Sequence, residues 1–566
     1  MPYRAPLTDF RFLLGNVVGF DQVTATALFA DATAESVEAI LAEAGKLCEN
    51  VLSPLNRAGD KDAARLENGT VRTSPGFADG YLAIADGGWV GIVAAPEHGG
   101  LGLPQTLATC VNDMMASACL ALQLNPLMTQ GQIEALEHHA SPEIKALYLP
   151  KLISGEWCGT MNLTEPQAGS DVGALRTKAE PNGDGSFAIT GQKIYISWAD
   201  NDFTANVCHL VLARLPDGGE GTRGISLFLV PKLIPDANGT PGQRNALHVV
   251  SLEHKLGLHG SPTAVMQYDR AQGWLVGAPH KGMAAMFTRM NIARLGVGVQ
   301  GIGVAEAAFQ QALAYAMDRR QGTTPLGTGA IIDHADVRRM LAVMKADTFS
   351  ARAIALSCAV AIDMARATDD PHWQARAAFL TPIAKAFGTD TGCDVAQMGV
   401  QVHGGMGFIE QTGAAQYARD VRVTAIYEGT NGIQAMDLVG RKMMDQGDAA
   451  FRLIDEIQTA AESARAALPD LATDVWNAAE ALREGTEALL SDPLNDRFAG
   501  AAPYLRAFAR VLGAHFHLKA AMTEPAREPL ARVAIRRLLP EHASLLAQAR
   551  EGAAGLYALT AELLSA

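Results

Sequence analysis

Residues 157–277 contain no hydrophobic pattern of helical length, whereas the chain on both sides of this stretch carries several. Short β-prone runs occur in it, at 187–189, 194–196, 209–213 and 225–230, and clusters of Gly, Asn, Asp and Pro separate them. Parallel strands need long crossover connections, which are usually helical, and none is legible between these runs. The stretch therefore predicts a domain built on an antiparallel sheet, between two helical regions.

Helical patterns dominate the chain before and after this stretch. Near the start, apolar residues recur at helical spacing from 33 to 52. A further helix is predicted to begin at Ser141, which is a favourable N-cap, with Pro142 at the first helical position. We expect Pro150 to end that helix, because proline cannot donate a backbone hydrogen bond and clashes with the preceding turn.

The order of these segments predicts an α+β fold in four parts. After residue 281 the helical patterns are long, and after Gly447 the sequence becomes rich in Ala, Leu, Glu and Arg. The four parts are an N-terminal helical domain (1–156), a middle antiparallel β domain (157–280), a second helical-bundle domain (281–447) and an additional C-terminal helical domain (448–566).

Composition excludes several functional classes. With 60 acidic and 46 basic side chains the chain carries a net charge of −14, which disfavours nucleic-acid binding. Seven scattered cysteines without a CxxC pair, and the absence of an HExxH motif, predict reduced thiols in the cytoplasm and no metal site. Charged residues interrupt the first apolar stretch, and no uninterrupted apolar run approaches ~20 residues, so we expect no secretory signal and no membrane span.

The segment Gly296–Gly301 fits the pattern GxGxxG of dinucleotide-binding folds. That motif requires a preceding strand, but the residues before it, MAAMFTRMNIAR, have a helical pattern. We therefore expect the small residues to allow close helix packing and predict no nicotinamide site.

Three other segments combine glycine with chemically useful side chains: TEPQAGSD at 164–171, QVHGGMGF at 401–408 and IYEGTNGIQ at 426–434. Glycine permits close backbone approach, and hydroxyls can contact an anion or a ring carbonyl. Glu428 could serve as a general base. Taken singly, the first segment could equally be an ordinary loop, and Glu428 could be an acidic residue at a helix N-terminus.

In this order, and together with PEHGGLG at 96–102, the segments resemble the acyl-CoA dehydrogenase family over residues 35–445. The resemblance implies FAD bound between the β domain and the second helical domain, an acyl-CoA substrate that loses hydrogens from its α and β carbons, and transfer of electrons to an electron-transfer flavoprotein. The opening PYRAPLTDFRFLL, the segment GLHGSPT and the long C-terminal extension are more narrowly similar to the branch that oxidises 3-methylthiopropanoyl-CoA to 3-methylthioacryloyl-CoA in dimethylsulfoniopropionate breakdown.

The resemblance also implies roles for individual residues. Glu428 stands at the position of the family's catalytic base. Residues at flavin-contacting positions are Met161, Leu163, Thr164, Ser170, Tyr195, Ser197 and Thr430. Tyr195 and Ser197 replace the usual Trp and Thr, and Ser170 also matches a contact to the pantetheine of the substrate.

Four further positions imply a homodimer. Arg319 matches an arginine that pairs with the FAD pyrophosphate across the dimer, although the aromatic residue that usually follows it is absent. Gln401, Gly404 and Gly405 match the segment that receives the adenine-ribose part of FAD from the neighbouring subunit. Arg294 matches an arginine near the substrate's CoA moiety, or it is a charge on a helix surface.

Three alternatives stay open on sequence alone. The chain could be a medium- or long-chain acyl-CoA dehydrogenase of fatty-acid β-oxidation. It could be an acyl-CoA oxidase, which passes electrons to oxygen. It could also be a helical binding or scaffold protein that has lost catalysis, against which the retention of Glu428 argues.

Overall fold

A computed structural model of the protein describes residues 3–566, apart from the side chains of residues 287–291. Its α-helices, α1 to α19 in chain order, are Leu7–Asn16, Phe20–Thr24, Ala34–Leu47, Ser53–Lys61, Phe77–Asp86, Gln105–His139, Pro142–Ile153, Gly282–Asp318, Ala335–Thr368, Pro371–His403, Ala414–Val421, Asn431–Asp437, Asp448–Ala464, Pro469–Ser491, Leu494–Thr523, Glu528–Val533, Glu541–Ala549, Ala554–Tyr557 and Ala561–Ser565. Its β-strands, β1 to β11, are Arg65–Glu67, Thr70–Arg72, Trp157–Asn162, Lys178–Pro181, Phe187–Ser197, Asn206–Arg214, Ile225–Pro231, Leu233–Pro235, Pro241–Arg244, Leu247–Leu252 and Thr263–Val276.

Shorter helical turns connect these elements. The π-helical segments are Cys48–Leu52, Leu438–Lys442 and Ala534–Leu538. The 3₁₀ segments are Ala27–Phe29, Pro96–His98, Val172–Ala174, Thr222–Gly224, Ile331–Asp333, Gly404–Phe408, Glu410–Thr412, Arg422–Ala425 and Pro525–Arg527. The chain divides into two compact units, of which the first comprises residues 1–42, 104–117 and 294–566, and the second residues 43–103 and 118–293.

The second unit contains the predicted β domain, built on a seven-stranded sheet. The strands follow the order β10-β11-β5-β4-β6-β3, and β7 pairs with both β11 and β6. Most pairs are antiparallel, but β3 and β6 are parallel, so the sheet is mixed rather than purely antiparallel. This parallel pair needs no helical crossover because the intervening chain forms β4 and β5, and sequence periodicity alone does not reveal such a pairing.

Helix α7 precedes β3 in the same unit and tests two predictions. Ser141 is its N-cap, with the side-chain oxygen accepting from the backbone N–H of Ile144, so the predicted start is confirmed. The predicted end at Pro150 is wrong, because α7 continues to Ile153. Leu152 and Ile153, in the turn after the proline, are buried, and their packing stabilises a turn that proline disfavours.

The first unit is built on the long helices α8, α9 and α10. A Cβ atom added at Gly298 or Gly301 of α8 would lie 2.5 Å from the carbonyl oxygen of Ala384 or 2.4 Å from that of Gly388, both on α10. The glycines therefore let two helix backbones touch. This confirms the interpretation of GxGxxG as a helix-packing motif.

The C-terminal helices pack within this first unit. Helix α15 lies against α9, α12 and α14, and its Phe508 packs edge to face on Phe379 of α10 with ring centroids 5.0 Å apart. Arg510 of α15 also forms a buried ion pair with Asp347 of α9. The segment 448–566 therefore shares a compact unit with residues 294–447.

Among the residues that the structure describes, three helices are long and apolar enough, by length and composition alone, to cross a membrane: Gln105–His139, Ile292–Asp318 and Ala335–Thr368. The expectation of no membrane span counted uninterrupted apolar runs, which in these helices are broken by Gly, Ser, Thr and Gln, and it stays a prediction. Their apolar windows are 100%, 94% and 89% buried in the protein.

Candidate active site

Glu428 lies in a short loop of the first unit, between the 3₁₀ segment Arg422–Ala425 and helix α12. Its side chain is half-buried and its φ is +53°, a left-handed conformation that is uncommon for a residue with a side chain. The next residue, Gly429, has φ +86°, and a Cβ there would lie 2.8 Å from the side-chain nitrogen of Gln434. Such a backbone persists only where its surroundings hold it.

Hydrogen bonds from both sides hold this loop. The Gln434 side chain, on α12, donates to the carbonyl oxygens of Glu428 (3.2 Å) and Gly429 (3.3 Å). On the preceding side, the Tyr427 hydroxyl donates to Oε1 of Gln300 on α8. Thr430 caps α12, its hydroxyl oxygen accepting from the backbone N–H of a residue three positions on. Because capping uses a lone pair, the Thr430 hydroxyl keeps its proton for another acceptor, which suits the flavin contact predicted for it.

A buried lysine lies behind the loop. Lys385 of α10 is fully shielded from solvent, and its Nζ donates to Oδ1 of Asn431, the first residue of α12. Burial lowers the pKa of Lys385 to about 8, and the nearby charges of Asp390 and Glu428 act in the opposite direction. Neither Lys385 nor Asn431 was predicted from the sequence. The signal for Lys385 was a lone cation within the apolar stretch FLTPIAKAFG.

Arg294 lies at the start of the same unit and is buried rather than on a helix surface. Its Nη1 is 2.8 Å from Oδ2 of Asp437, at the end of α12. Its Nε has no hydrogen-bond partner among the side chains that the structure describes. Two charged hydrogen bonds from arginines, with Arg441 as the second, hold the pKa of Asp437 below its usual value despite burial. The role predicted for Arg294 at the CoA moiety stays a prediction.

The structure brings Arg319 and the segment Gln401–Gly405 to neighbouring positions. Tyr315, one turn before Arg319, stacks on His403 with ring centroids 4.5 Å apart. Arg319, Gln401, Gly404 and Gly405 are all exposed. The exposed apolar side chains of Met406, Phe408 and Ile409 follow directly, and Phe408 is 87% exposed.

The remaining predicted residues lie in the second unit, at the ends of two strands. Met161 and Leu163 belong to the end of β3 and the loop after it, and the Thr164 carbonyl accepts from the N–H of Ile194 on β5 at 2.9 Å. Tyr195 therefore lies beside Thr164. It has φ +60° and is 62% exposed, so a strained backbone displays an aromatic ring on the surface.

The other two predicted hydroxyl residues of this unit lie nearby in sequence. Ser197, at the end of β5, is partly buried and pairs with Thr263 of β11. Ser170 is exposed on the loop that follows Thr164. The contacts assigned to both residues stay predictions.

A buried ion pair fixes the loop that carries Thr164 and Ser170. Glu165 accepts from Nζ of Lys193 at 2.8 Å and from the backbone N–H groups of Arg176 (2.7 Å) and Thr177 (3.0 Å). Lys193 also donates to the Leu163 carbonyl at 3.0 Å. The Lys193 charge and these hydrogen bonds hold the pKa of Glu165 at about 2, whereas burial lowers that of Lys193 to about 8. Neither residue was predicted from the sequence. The signal for Glu165 was a carboxylate in the TEPQAGSD segment with no basic residue near it in the sequence.

Three family models cover most of the chain. Residues 34–156 match the acyl-CoA dehydrogenase N-terminal domain, residues 160–271 the middle domain and residues 280–444 the C-terminal domain.

Individual relatives extend this similarity. The 3-methylmercaptopropionyl-CoA dehydrogenase of Ruegeria pomeroyi is 44% identical over 520 residues, which is 89% of this chain and 88% of the relative. A butyryl-CoA dehydrogenase of Syntrophomonas wolfei is 34% identical, covering 75% and 73% of the two chains. The broad-specificity linear acyl-CoA dehydrogenase of Mycobacterium tuberculosis is 34% identical, covering 85% and 83%.

Solved structures show the same fold. The acyl-CoA dehydrogenase of Bacillus anthracis, complexed with FAD, has a TM-score of 0.76 at 20% identity and covers 100% of this chain and 95% of its own. ACDH-11 of Caenorhabditis elegans, in complex with C11-CoA, has a TM-score of 0.80 at 19% identity, covering 95% and 92%. Together with the three family models, these similarities show that the chain belongs to the acyl-CoA dehydrogenase family of FAD-dependent oxidoreductases.

Proposed function

We propose that this acyl-CoA dehydrogenase acts on a short acyl-CoA, 3-methylthiopropanoyl-CoA, and converts it to 3-methylthioacryloyl-CoA with electrons passing to an electron-transfer flavoprotein. This choice of substrate is supported by the 44% identity to the 3-methylmercaptopropionyl-CoA dehydrogenase of Ruegeria pomeroyi. The similarity extends over 89% of this chain and so includes C-terminal helices. The chemistry rests on Glu428, held in an unusual backbone conformation by its neighbours.

The residues that would hold FAD suit a flavin nucleotide. Tyr195 offers an exposed aromatic face, and Thr164 beside it offers a hydroxyl. In the first unit, a Cβ at Gly404 or Gly405 would meet no atom within 4 Å, so their backbone is open to a ligand, and exposed Arg319 can pair with the pyrophosphate of a neighbouring subunit's FAD. When bound, FAD supplies the acceptor for the hydride that leaves the β-carbon of the substrate.

The protein's own part in the reaction is proton abstraction. We assign Glu428 as the general base that takes the proton from the α-carbon, leaving the proton on its carboxyl group. The bonds from Gln434 to the carbonyls of Glu428 and Gly429 keep the backbone of the base fixed. A base held in one position needs no reorganisation when the substrate binds, which lowers the barrier to proton transfer.

An apolar pocket can discriminate only weakly between the thioether substrate and straight-chain acyl-CoAs of similar length. A thioether sulfur nearly replaces a methylene in size, and one methylene in an apolar pocket is worth ~1–3 kcal/mol. We therefore expect butanoyl-CoA and pentanoyl-CoA to react as well. The relatives called butyryl-CoA dehydrogenase, at 34–35% identity, support a short chain, whereas the broad-specificity linear relative supports a wider range as the second candidate.

A homodimer is part of the proposal. It is supported by the exposed apolar group Met406, Phe408 and Ile409, which adjoins Gln401–Gly405 and Arg319. Large exposed apolar side chains grouped on a surface commonly mark a protein interface. In such a dimer, each subunit would supply these residues to its neighbour's FAD.

An initial-rate screen tests the proposed substrate. Acyl-CoAs of increasing chain length, with 3-methylthiopropanoyl-CoA among them, are compared using an artificial electron acceptor and then an electron-transfer flavoprotein. We expect the highest initial rates with 3-methylthiopropanoyl-CoA and the short-chain acyl-CoAs. A maximum rate with palmitoyl-CoA would contradict the proposal. To distinguish an oxidase, the enzyme's flavin is reduced anaerobically by the substrate and air is then admitted. In an oxidase the flavin would be reoxidised rapidly, with release of peroxide.

A further inference from the structure

The buried face of α10 behind the Glu428 loop has polar groups that converge on one side chain. Lys385, Ala386, Thr389 and Asp390 lie on successive turns of one helix face, and all contact the side chain of Asn431. The Lys385 Nζ donates to Oδ1 of Asn431 at 2.8 Å. The Asn431 Nδ2 donates to Oδ1 of Asp390 at 2.7 Å and to Oγ1 of Thr389 at 2.9 Å.

These contacts use both ends of the Asn431 amide. Rotating it would exchange the donor and acceptor ends, placing the NH₂ group against the Lys385 ammonium and the carbonyl oxygen against the Asp390 carboxyl. Asn431 is three residues after Glu428 and is the first residue of α12, directly after the cap Thr430. Fixing Asn431 on α10 therefore fixes the C-terminal end of the loop that carries Glu428.

The same cluster supplies a positive charge to the loop. Besides burial, four groups act on the Lys385 ammonium: Asp390 and Cys393 from its own helix, Glu428 from the loop and Arg294 from α8. Asp390, Glu428 and Cys393 favour its charged form, and Arg294 and burial disfavour it. With a pKa of about 8, Lys385 carries a proton at neutral pH. It then attracts the Glu428 carboxylate.

We propose that Lys385 is a positioning residue for proton abstraction, because its bond to Asn431 orients the Glu428 loop. The proposal rests on the assignment of Glu428 as the base. Lys385 does not itself exchange a proton with the substrate. Substitution can remove this bond from either end, because Asn431→Ala removes the acceptor and Lys385→Met removes the donor.

The test isolates proton abstraction from electron transfer. The enzyme is reduced anaerobically, so that its flavin cannot accept hydride, and is given butanoyl-CoA in D₂O. Mass spectrometry then follows deuterium entering the α-carbon. We expect Lys385→Met to slow this exchange by about 10²-fold, the order of a general-base contribution. Binding of butanoyl-CoA and FAD content should remain near those of the parent.

Rescue by a conservative variant separates positioning from a general loss of structure. Asn431→Ala, which removes the acceptor of the Lys385 bond, should slow the exchange as Lys385→Met does. Lys385→Arg keeps a charged donor at this position and should retain more of the exchange rate than Lys385→Met. Asn431→Ala serves as the second probe if Lys385→Met does not retain FAD.

Lys519→Met is the matched control. Lys519 is a partly buried lysine of the same unit whose ammonium donates to the Val17 carbonyl and whose charged neighbours are Glu456, Arg376 and Asp21. Its exchange rate should match the parent. A parental exchange rate in Lys385→Met would overturn the proposal, as would a parental exchange rate in Asn431→Ala. Persistent exchange in Glu428→Gln would instead overturn the assignment of the base.

Discussion

Lys193 and Glu165 form an ion pair that is almost completely shielded from solvent, with 2.8 Å between Nζ and Oε1. The pair joins strand β5, which ends near Tyr195, to the loop that carries Thr164 and Ser170. Lys193 also bonds the Leu163 carbonyl, so one ammonium fixes the loop at two points. This ion pair therefore holds in place the loop whose residues are proposed to contact the flavin ring.

Breaking this pair should be costly. Removing one partner leaves the other charge buried without compensation, which typically costs ~3–5 kcal/mol. We expect Lys193→Met and Glu165→Gln each to lower the free energy of unfolding by about this amount, and to weaken FAD retention. Urea unfolding of both single variants and the double variant measures it. The double variant should be more stable than the sum of the single effects predicts, and simple additivity would contradict a direct pair.

The pair also predicts a dependence of stability on acid. The pKa of Glu165 is about 2 in the folded protein against its usual 4.5, so folding favours its ionised form. Its contribution is therefore complete above pH 4.5 and is lost as the pH falls from 4.5 towards 2. The stability difference between the parent and Glu165→Gln should shrink as the pH falls through that window. Urea titrations at several pH values measure this difference, and one that grows on acidification would show the opposite linkage.

Periodicity and turn signals in the sequence were sufficient to predict the β domain, the helical regions around it and the packing role of Gly298 and Gly301. They could not predict that β3 pairs in parallel with β6, because strand pairing joins residues about 50 positions apart. Nor could they predict that helix α7 continues past Pro150. There the burial of Leu152 and Ile153 outweighs the tendency of proline to end a helix.

Some residues of the candidate site were likewise predicted from the sequence and others were not. Glu428 and the flavin-contacting positions came from motif resemblance, and their roles stay predictions, as do the homodimer and the cytoplasmic location. Lys385 and Lys193 were not predicted, because a lysine becomes informative only when its burial and its partner are known. Lys193 and Glu165 are 28 residues apart in sequence, and Lys385 and Asn431 are 46 apart.

Removing the base should abolish turnover and leave binding intact. Glu428→Gln preserves the shape of the side chain but cannot accept a proton, and losing a general base typically costs ~10²–10⁴-fold. We expect that loss in the rate of flavin reduction by substrate, measured by stopped-flow absorbance. FAD content and acyl-CoA binding should remain those of the parent. Reduction within about tenfold of the parent rate would show that another group is the base.

If the protein is a dimer with a shared FAD site, substitution of Arg319 should change FAD retention, whereas substitution of Phe408 should change the oligomeric state. Arg319→Ala removes a charge-assisted contact to pyrophosphate and should lose FAD during gel filtration. Phe408→Ser removes an 87% exposed apolar side chain and should shift the light-scattering mass towards the monomer. Arg465→Ala, which removes an exposed arginine paired with Glu462 on α13, should change neither quantity. A fully active monomer would exclude the shared site.

Gly301 connects helix packing to the catalytic loop. A Cβ at this position would lie 2.4 Å from the carbonyl oxygen of Gly388, so Gly301→Ala must separate α8 from α10. Such overpacking costs ~1–3 kcal/mol and sometimes more. The preceding residue, Gln300, accepts the hydrogen bond of Tyr427, so the displacement should also disturb the Glu428 loop.

Gly15→Ala is the matched control, because Gly15 is also helical but a Cβ there meets no atom within 4 Å. It should be neutral or stabilising by up to ~1 kcal/mol. Urea unfolding compares the two variants, and the rate of flavin reduction by butanoyl-CoA reports on the loop. If the Gly301 variant loses stability but keeps the parental rate, α8 does not position the base. If it loses neither, the helices at this crossing can move apart without cost.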